Sequence, residues 1–169
     1  MNLLGFWRCA YIGGSVGPTG ATGAMGPGVM MSELYLYNYC ANHFSPHAAI
    51  KFDQPPVPGA AVPGMVLVGD DTVKICAKGL YRVDYSFTPY SVNTTLAVFL
   101  DGVEIPGSRY TSEDAPVAIH ASVVFEVNCG MPGLLQLRNV RSTHDAELVV
   151  ASMPNTVNAS LLVSAIMSV

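Results

Sequence analysis

The chain predicts an all-β sandwich or jelly roll that self-associates as a homotrimer behind a short collagen-like triple-helical stalk. Three observations carry this expectation. Gly14, Gly17, Gly20, Gly23 and Gly26 fall at every third residue, and Pro18 and Pro27 follow two of them. Only glycine fits the crowded axis of a collagen helix, so this period demands three chains wound together. Downstream, short segments of alternating polarity recur between Gly and Pro punctuation, and no ten-residue segment has helical periodicity. Finally, half of the residues are hydrophobic and only 12% are charged, with mean hydropathy +0.38. An ordinary soluble domain carries about 25% charged residues, so neighbours are expected to cover much of each subunit.

Three segments follow from this reading. Residues 1–13 form an apolar leader containing Leu3, Leu4, Phe6, Trp7, Cys9 and Tyr11. It is too short to fold alone, and reads either as a disordered tail or as an anchor that docks into a partner protein. Three copies at one stalk end would add avidity. Cys9, in this exposed leader, is suited to an interchain disulfide. Residues 14–28 are the stalk, spanning roughly 45 Å at ~3.1 Å per residue. Thr19 and Thr22 sit at its outward Y positions, either as plain solvent-facing side chains or as O-glycosylation sites. Sparse proline leaves the stalk dependent on residues 29–169, the trimerisation head.

Within the head, Tyr81, Val83, Tyr85 and Phe87 fall on one face of Leu80–Phe87, with Arg82, Asp84 and Ser86 on the other. Val117–Asn128 repeats the pattern, placing Val117, Ile119, Ala121, Val123, Phe125 and Val127 together. Leu96–Leu100 is apolar on both faces, as a strand buried on both sides would be. Asp101-Gly102 then predicts a two-residue hairpin to Val103–Ile105. Tyr35, Tyr37 and Tyr39 alternate with Leu34, Leu36 and Asn38. One set is expected to face the sandwich core, and the other a neighbouring subunit or a cover from its own domain. Tyrosine suits an interface because it joins large apolar area to a polar tip.

The strings G79-L-Y-R-V-D-Y-S-F87, L96-A-V-F-L-D-G-V-E-I-P-G-S108, A121-S-V-V-F-E-V-N-C-G130, L134-L-Q-L-R-N139 and A159-S-L-L-V-S-A-I-M167 resemble the tumour-necrosis-factor-like jelly roll, also the fold of complement globular heads. With the triplets G17-P-T-G-A-T-G23, residues 14–169 resemble the BclA-type collagen-like glycoproteins of bacterial spores, though the stalk is shorter than usual there. The resemblance implies a structural protein of the spore surface, in the exosporium or at an appendage tip. Its leader would anchor it to another spore-surface protein, its stalk would carry glycans, and its trimeric head would serve adhesion to glycans or a host surface. The alternative is a receptor- or glycan-binding adhesin such as a phage tail-fibre tip.

Other classes fit poorly. A net charge of −4 lacks the basic patch that nucleic acid requires. No run of 18 apolar residues predicts a membrane span, and the N-terminus lacks the parts of a secretory signal, so assembly without one is expected. There is no G-x-S-x-G elbow and no P-loop, so neither an enzyme nor a cofactor is expected. His43 and His47 have helical metal-ligand spacing, but Pro46 and the strand pattern oppose a helix. His120 and His144-Asp145 read as solvated, and Asp70-Asp71 as a plain turn rather than a calcium site. No metal is expected. Cys40, Cys76 and Cys129 are expected to be buried free thiols. Asn93-Thr94-Thr95 and Asn158-Ala159-Ser160 match the N-glycosylation pattern, which is too short to carry weight.

Overall fold

Alternation of side chains builds two facing sheets. The computed structural model describes residues 32–40, 43–53, 61–90, 92–113, 117–128, 132–140, 146–148 and 156–168. The expected leader and stalk, with Thr19 and Thr22, lie outside the described residues, as do Cys9, Cys129 and His144-Asp145. Among the described residues all regular structure is β.

The first sheet has four antiparallel strands in the order β1 (Glu33–Asn38), β13 (Ala159–Ser168), β6 (Gly79–Phe87) and β10 (Ile119–Val127). The second runs β3 (Ala61–Val62), β4 (Met65–Val68), β5 (Thr72–Ile75), β11 (Gly133–Asn139), β7 (Thr94–Leu100) and β8 (Val103–Glu104), and β9 (Tyr110–Ser112) also pairs with β7. A two-stranded ribbon joins β2 (His43–Phe44) to β12 (Ala146–Glu147). Sequence neighbours such as β6 and β7 lie in opposite sheets, which is the crossing pattern of a jelly roll.

The core is the apolar half of each alternation. Tyr81, Val83, Tyr85 and Phe87 are buried as predicted, and they face Leu96, Val98, Leu135 and Leu137 of the second sheet. Leu96, Ala97 and Val98 are fully buried, but Phe99 and Leu100 are half-buried, so the expected cover on both faces holds for the middle of the strand and not for its end. Asp101 and Gly102 adopt φ of 52° and 80°, the two left-handed conformations of the expected hairpin turn, and Leu100 pairs with Val103 across it. A Cβ on Gly133 would come within 2.9 Å of Leu100 Cδ1, so a larger residue there would require the Leu100 side chain to shift.

Three expectations need correction. Val117 is 52% exposed, because the strand begins at Ile119 and the alternation has no ladder to hold it before that. Cys40 and Cys76 are exposed thiols rather than buried ones. Alternation would turn Cys40 inward, but β1 stops at Asn38, whose Oδ1 accepts the Cys40 N–H at 2.7 Å and turns the chain. Cys76 follows inward-facing Ile75 just after β5 ends, and so falls on the outer side.

Buried asparagines hold the end of the sandwich where β1 finishes. Asn38 Nδ2 donates to the Lys51 carbonyl at 2.7 Å, Asn139 Nδ2 to Phe44 at 3.0 Å, and Asn158 Nδ2 to Cys40 at 2.8 Å. Two of these bonds satisfy the carbonyls of Lys51 and Cys40, which lie outside the strands, and the third reaches Phe44 in the short β2. They also commit Asn158, which is 3% exposed, so its N-glycosylation match is a packing residue.

Candidate functional site

The outward half of the four-stranded alternation forms the candidate site. Register places its side chains in three rows across β1, β13, β6 and β10. The first is Glu33, Ser164, Arg82 and Val124; the second Tyr35, Leu162, Asp84 and Ser122; the third Tyr37, Ser160, Ser86 and His120. Leu34 and Leu36 point inward and are buried, which forces Tyr35 and Tyr37 outward. Their rings stack with centroids 5.7 Å apart, and Tyr39 continues the ladder 6.2 Å beyond Tyr37.

The polar groups of these rows bond mainly to one another. Arg82 Nη2 and Nε reach Asp84 Oδ1 at 2.6 and 3.0 Å, and Nε also meets Ser122 Oγ at 3.2 Å. Ser86 and Ser160 share a hydroxyl bond of 2.7 Å, and Ser164 Oγ lies 3.4 Å from Glu33 Oε1. Around them stand Tyr35, 40% exposed, Val124, 51% exposed, and half-buried Leu162. A hollow of about 750 Å³ opens here between Tyr35, Leu162, His120 and Tyr110. Such a face is aromatic at one side and apolar in places, with Arg82 paired to Asp84 and the Glu33 and Glu126 carboxylates exposed toward its Glu33 end.

Beneath the hollow, the Tyr85 phenol donates to the Ser108 carbonyl at 2.5 Å. Tyr85 is held neutral well above the ordinary phenol range, first by burial and then by Tyr110 and Glu104. It is therefore a structural donor, not an acid for chemistry near neutral pH.

Among the described residues no histidine converges with two or more other metal-ligating side chains. His43 sits on β2 with Nε2 3.0 Å from Glu147 Oε1, while His47 lies in a turn at φ 65°, so their four-residue spacing is not a helical one. Among the described residues no group of three or more metal-ligating side chains converges. His120 is exposed on the third row, as expected. Asp70 pairs with Lys51 at 3.1 Å and Asp71 accepts the Thr72 hydroxyl at 2.6 Å, which leaves them in the plain turn between β4 and β5. The Cys40 thiol is raised by its hydrogen bond to Asp53, then by slight burial and the Asp53 charge, the opposite of an activated nucleophile.

Reading the sequence missed the Arg82–Asp84–Ser122 and Ser86–Ser160 links. The only local signal was that Arg82, Asp84 and Ser86 share the polar side of one strand.

A second exposed cluster lies at the end of the sandwich opposite Glu33. Asn38, Phe87, Ile119 and Ala159 meet there by register. The adjoining loop residues Tyr90, Val92, Val117 and Val157 are 64, 55, 52 and 41% exposed.

No family model and no curated protein sequence matches this chain. Solved structures do match in fold. Murine APRIL at pH 8.5 is similar with a TM-score of 0.56 and 17% identity, covering 80% of this chain and 99% of that one. Eiger TNF from S. frugiperda gives 0.55 and 12% identity over 82% and 93%. The globular domain of zebrafish complement 1qA protein gives 0.52 and 8% identity over 82% and 98%. The strand order and these similarities agree: the head is a jelly roll of the tumour-necrosis-factor-like kind.

Proposed function

We propose that the chain is a non-enzymatic structural protein of the bacterial spore surface. It displays a trimeric head on a collagen-like stalk, for adhesion. The observation that carries this reading is the joining of a Gly-X-Y repeat, residues 14–28, to a tumour-necrosis-factor-like head. The repeat requires three chains, and the head offers a face suited to being covered by copies of itself. Tyrosines, Leu162 and Val124 supply apolar contact, while the Arg82–Asp84–Ser122 links leave few polar groups to strand when water is removed.

The spore location and the anchoring of residues 1–13 in a surface or appendage protein rest on the resemblance of stalk and head to BclA-type glycoproteins. O-glycans at Thr19 and Thr22 rest on the same resemblance. Sedimentation of the full chain at micromolar concentration tests the assembly: the expected species has three times the 17.9 kDa chain mass, and a stable monomer refutes it. Immunogold microscopy of spores, with and without residues 1–13, tests the location. Label absent from the spore surface, or unchanged by the deletion, overturns the anchor.

A second reading is favoured by one feature. Tyr90, Val92, Val117 and Val157 expose apolar surface on loops away from the end where the chain enters β1, where a receptor-binding tip would carry it. A trimeric adhesin binding through these loops would lose its target when Tyr90 and Val92 become serine, with assembly unchanged.

A further inference from the structure

The outer face of the seven-stranded sheet carries a different arrangement. Leu134, Gln136 and Arg138 alternate outward along β11, between buried Leu135 and Leu137. A directed chain of hydrogen bonds fixes two of them. The Thr72 hydroxyl donates to Asp71 Oδ1 at 2.6 Å, so its oxygen accepts from Gln136 Nε2 at 2.7 Å. That bond orients the Gln136 amide with Oε1 toward Arg138, which donates to it from Nε at 2.9 Å and also from Nη2. The guanidinium lies over the Phe99 ring, 5.0 Å from its centroid, which holds its plane in place.

Arg138 has no carboxylate partner among the described residues, whereas Arg82, Arg109 and Lys51 each have one. Its two Nη1 protons and the outer Nη2 proton remain to be used, beside the second amide proton of Gln136. Both face a hollow of about 360 Å³ that Thr72, Asp101, Gly102 and Leu134 complete. At the Asp101 side, Oδ1 accepts the Leu134 N–H at 2.8 Å, which fixes that carboxylate and leaves Oδ2 as an acceptor. Leu134, 45% exposed, adds an apolar wall.

The hollow thus has fixed donors and a positive charge at one side, an acceptor at the other and an apolar surface between. Its size falls in the range of small-molecule sites, roughly 300–1,000 Å³. We propose that it binds a carboxylate-bearing sugar residue, with the carboxylate on Arg138 and Gln136 and a ring hydroxyl donating to Asp101. A planar carboxylate meets the open side of a guanidinium through two parallel bonds, and the sugar ring lies against Leu134. The site sits on the opposite sheet from the proposed self-association face, so its binding is expected to be independent of assembly.

Saturation-transfer NMR and calorimetry on the full chain test this, with D-glucuronate and its methyl glycoside as probes and D-glucose and acetate as controls. Both glucuronate forms are expected to bind with Kd on the order of 1 mM for so small a ligand, and glucose and acetate at least tenfold more weakly. Arg138→Gln abolishes binding. Arg138→Lys, which keeps the charge but loses the planar fork, weakens it at least fivefold while preserving the melting temperature and the oligomer. Glucose binding as well as glucuronate, acetate matching it, or Arg138→Lys binding like the wild type would each overturn the proposal.

Discussion

Arg82 and Arg138 stand on the outer faces of opposite sheets, and each hydrogen-bonds a side chain two residues away on its own strand. Arg82 meets a carboxylate and a serine from the neighbouring strand. Arg138 meets a neutral amide that is itself held from the other side. The same local geometry therefore leaves Arg82 spent on its own face and Arg138 with donors to spare among the described residues. A guanidinium already paired and hydrogen-bonded loses less when water is excluded than one without a carboxylate partner, which stays worth hydrating or binding. In the proposed trimer the four-stranded face is the one covered by neighbouring copies, and the seven-stranded face stays open.

The sharpest way to break this contrast is to charge the covered face. Leu162→Arg places a cation in the middle row, opposite Tyr35 and Asp84, and threefold symmetry would bring three copies into the proposed trimer. Each added cation would be buried with only Asp84 beside it, a carboxylate already held by Arg82, at a cost of several kcal/mol, so sedimentation at micromolar concentration should show monomers with an intact β circular dichroism spectrum. An unchanged trimer would mean that another face makes the contact.

Arg82→Ala gives the next largest effect and compares the two arginines directly. In an isolated head the Arg82 side chain is 53% exposed, and its loss costs roughly 0–1 kcal/mol, as exposed pairs do. In the assembly it strands Asp84 in a covered face, at about 3–5 kcal/mol. The variant should therefore melt near the wild type when dilute and lose trimer at concentrations where the wild type keeps it. Arg138→Ala should leave the oligomer unchanged at every concentration. Equal behaviour of the two variants would erase the distinction between the faces.

How much of this was legible beforehand depended on whether the information was local. The burial of Tyr81, Val83, Tyr85 and Phe87 follows from two-residue alternation, and the Asp101-Gly102 turn from the positive φ that both residues tolerate. Cys40 and Val117 were misplaced because alternation says nothing about where a ladder stops. The two face chemistries were out of reach for a different reason. Arg82 and Ser122 are 40 residues apart, Thr72 and Gln136 are 64 apart, and Ser86 and Ser160 are 74 apart. Each pair meets only through long-range strand register, which polarity patterns do not specify. The tyrosine ladder was visible as alternation, yet which set faced outward became apparent only with the burial of Leu34 and Leu36.

The smallest effect concerns the join between the two sheets. Tyr85 belongs to the four-stranded sheet, and its phenol crosses to the Ser108 carbonyl in the β8–β9 connection of the other. Removing that donor by Tyr85→Phe leaves a buried carbonyl unpaired, at about 1–2 kcal/mol. The phenol ionises near 10 when the chain is unfolded and well above that in the fold, so the folded state holds its proton longer. Its contribution is accordingly complete below pH 10 and falls as pH climbs beyond it. Wild-type stability should therefore drop more steeply than that of Tyr85→Phe between pH 10 and 11.5, measured by denaturant unfolding of the head. Because this bond lies inside one subunit, the variant should keep its oligomeric state at pH 7. A variant that dissociates at pH 7 would show that the hollow above Tyr85 is part of the subunit contact, and would move the boundary of the covered face toward β9.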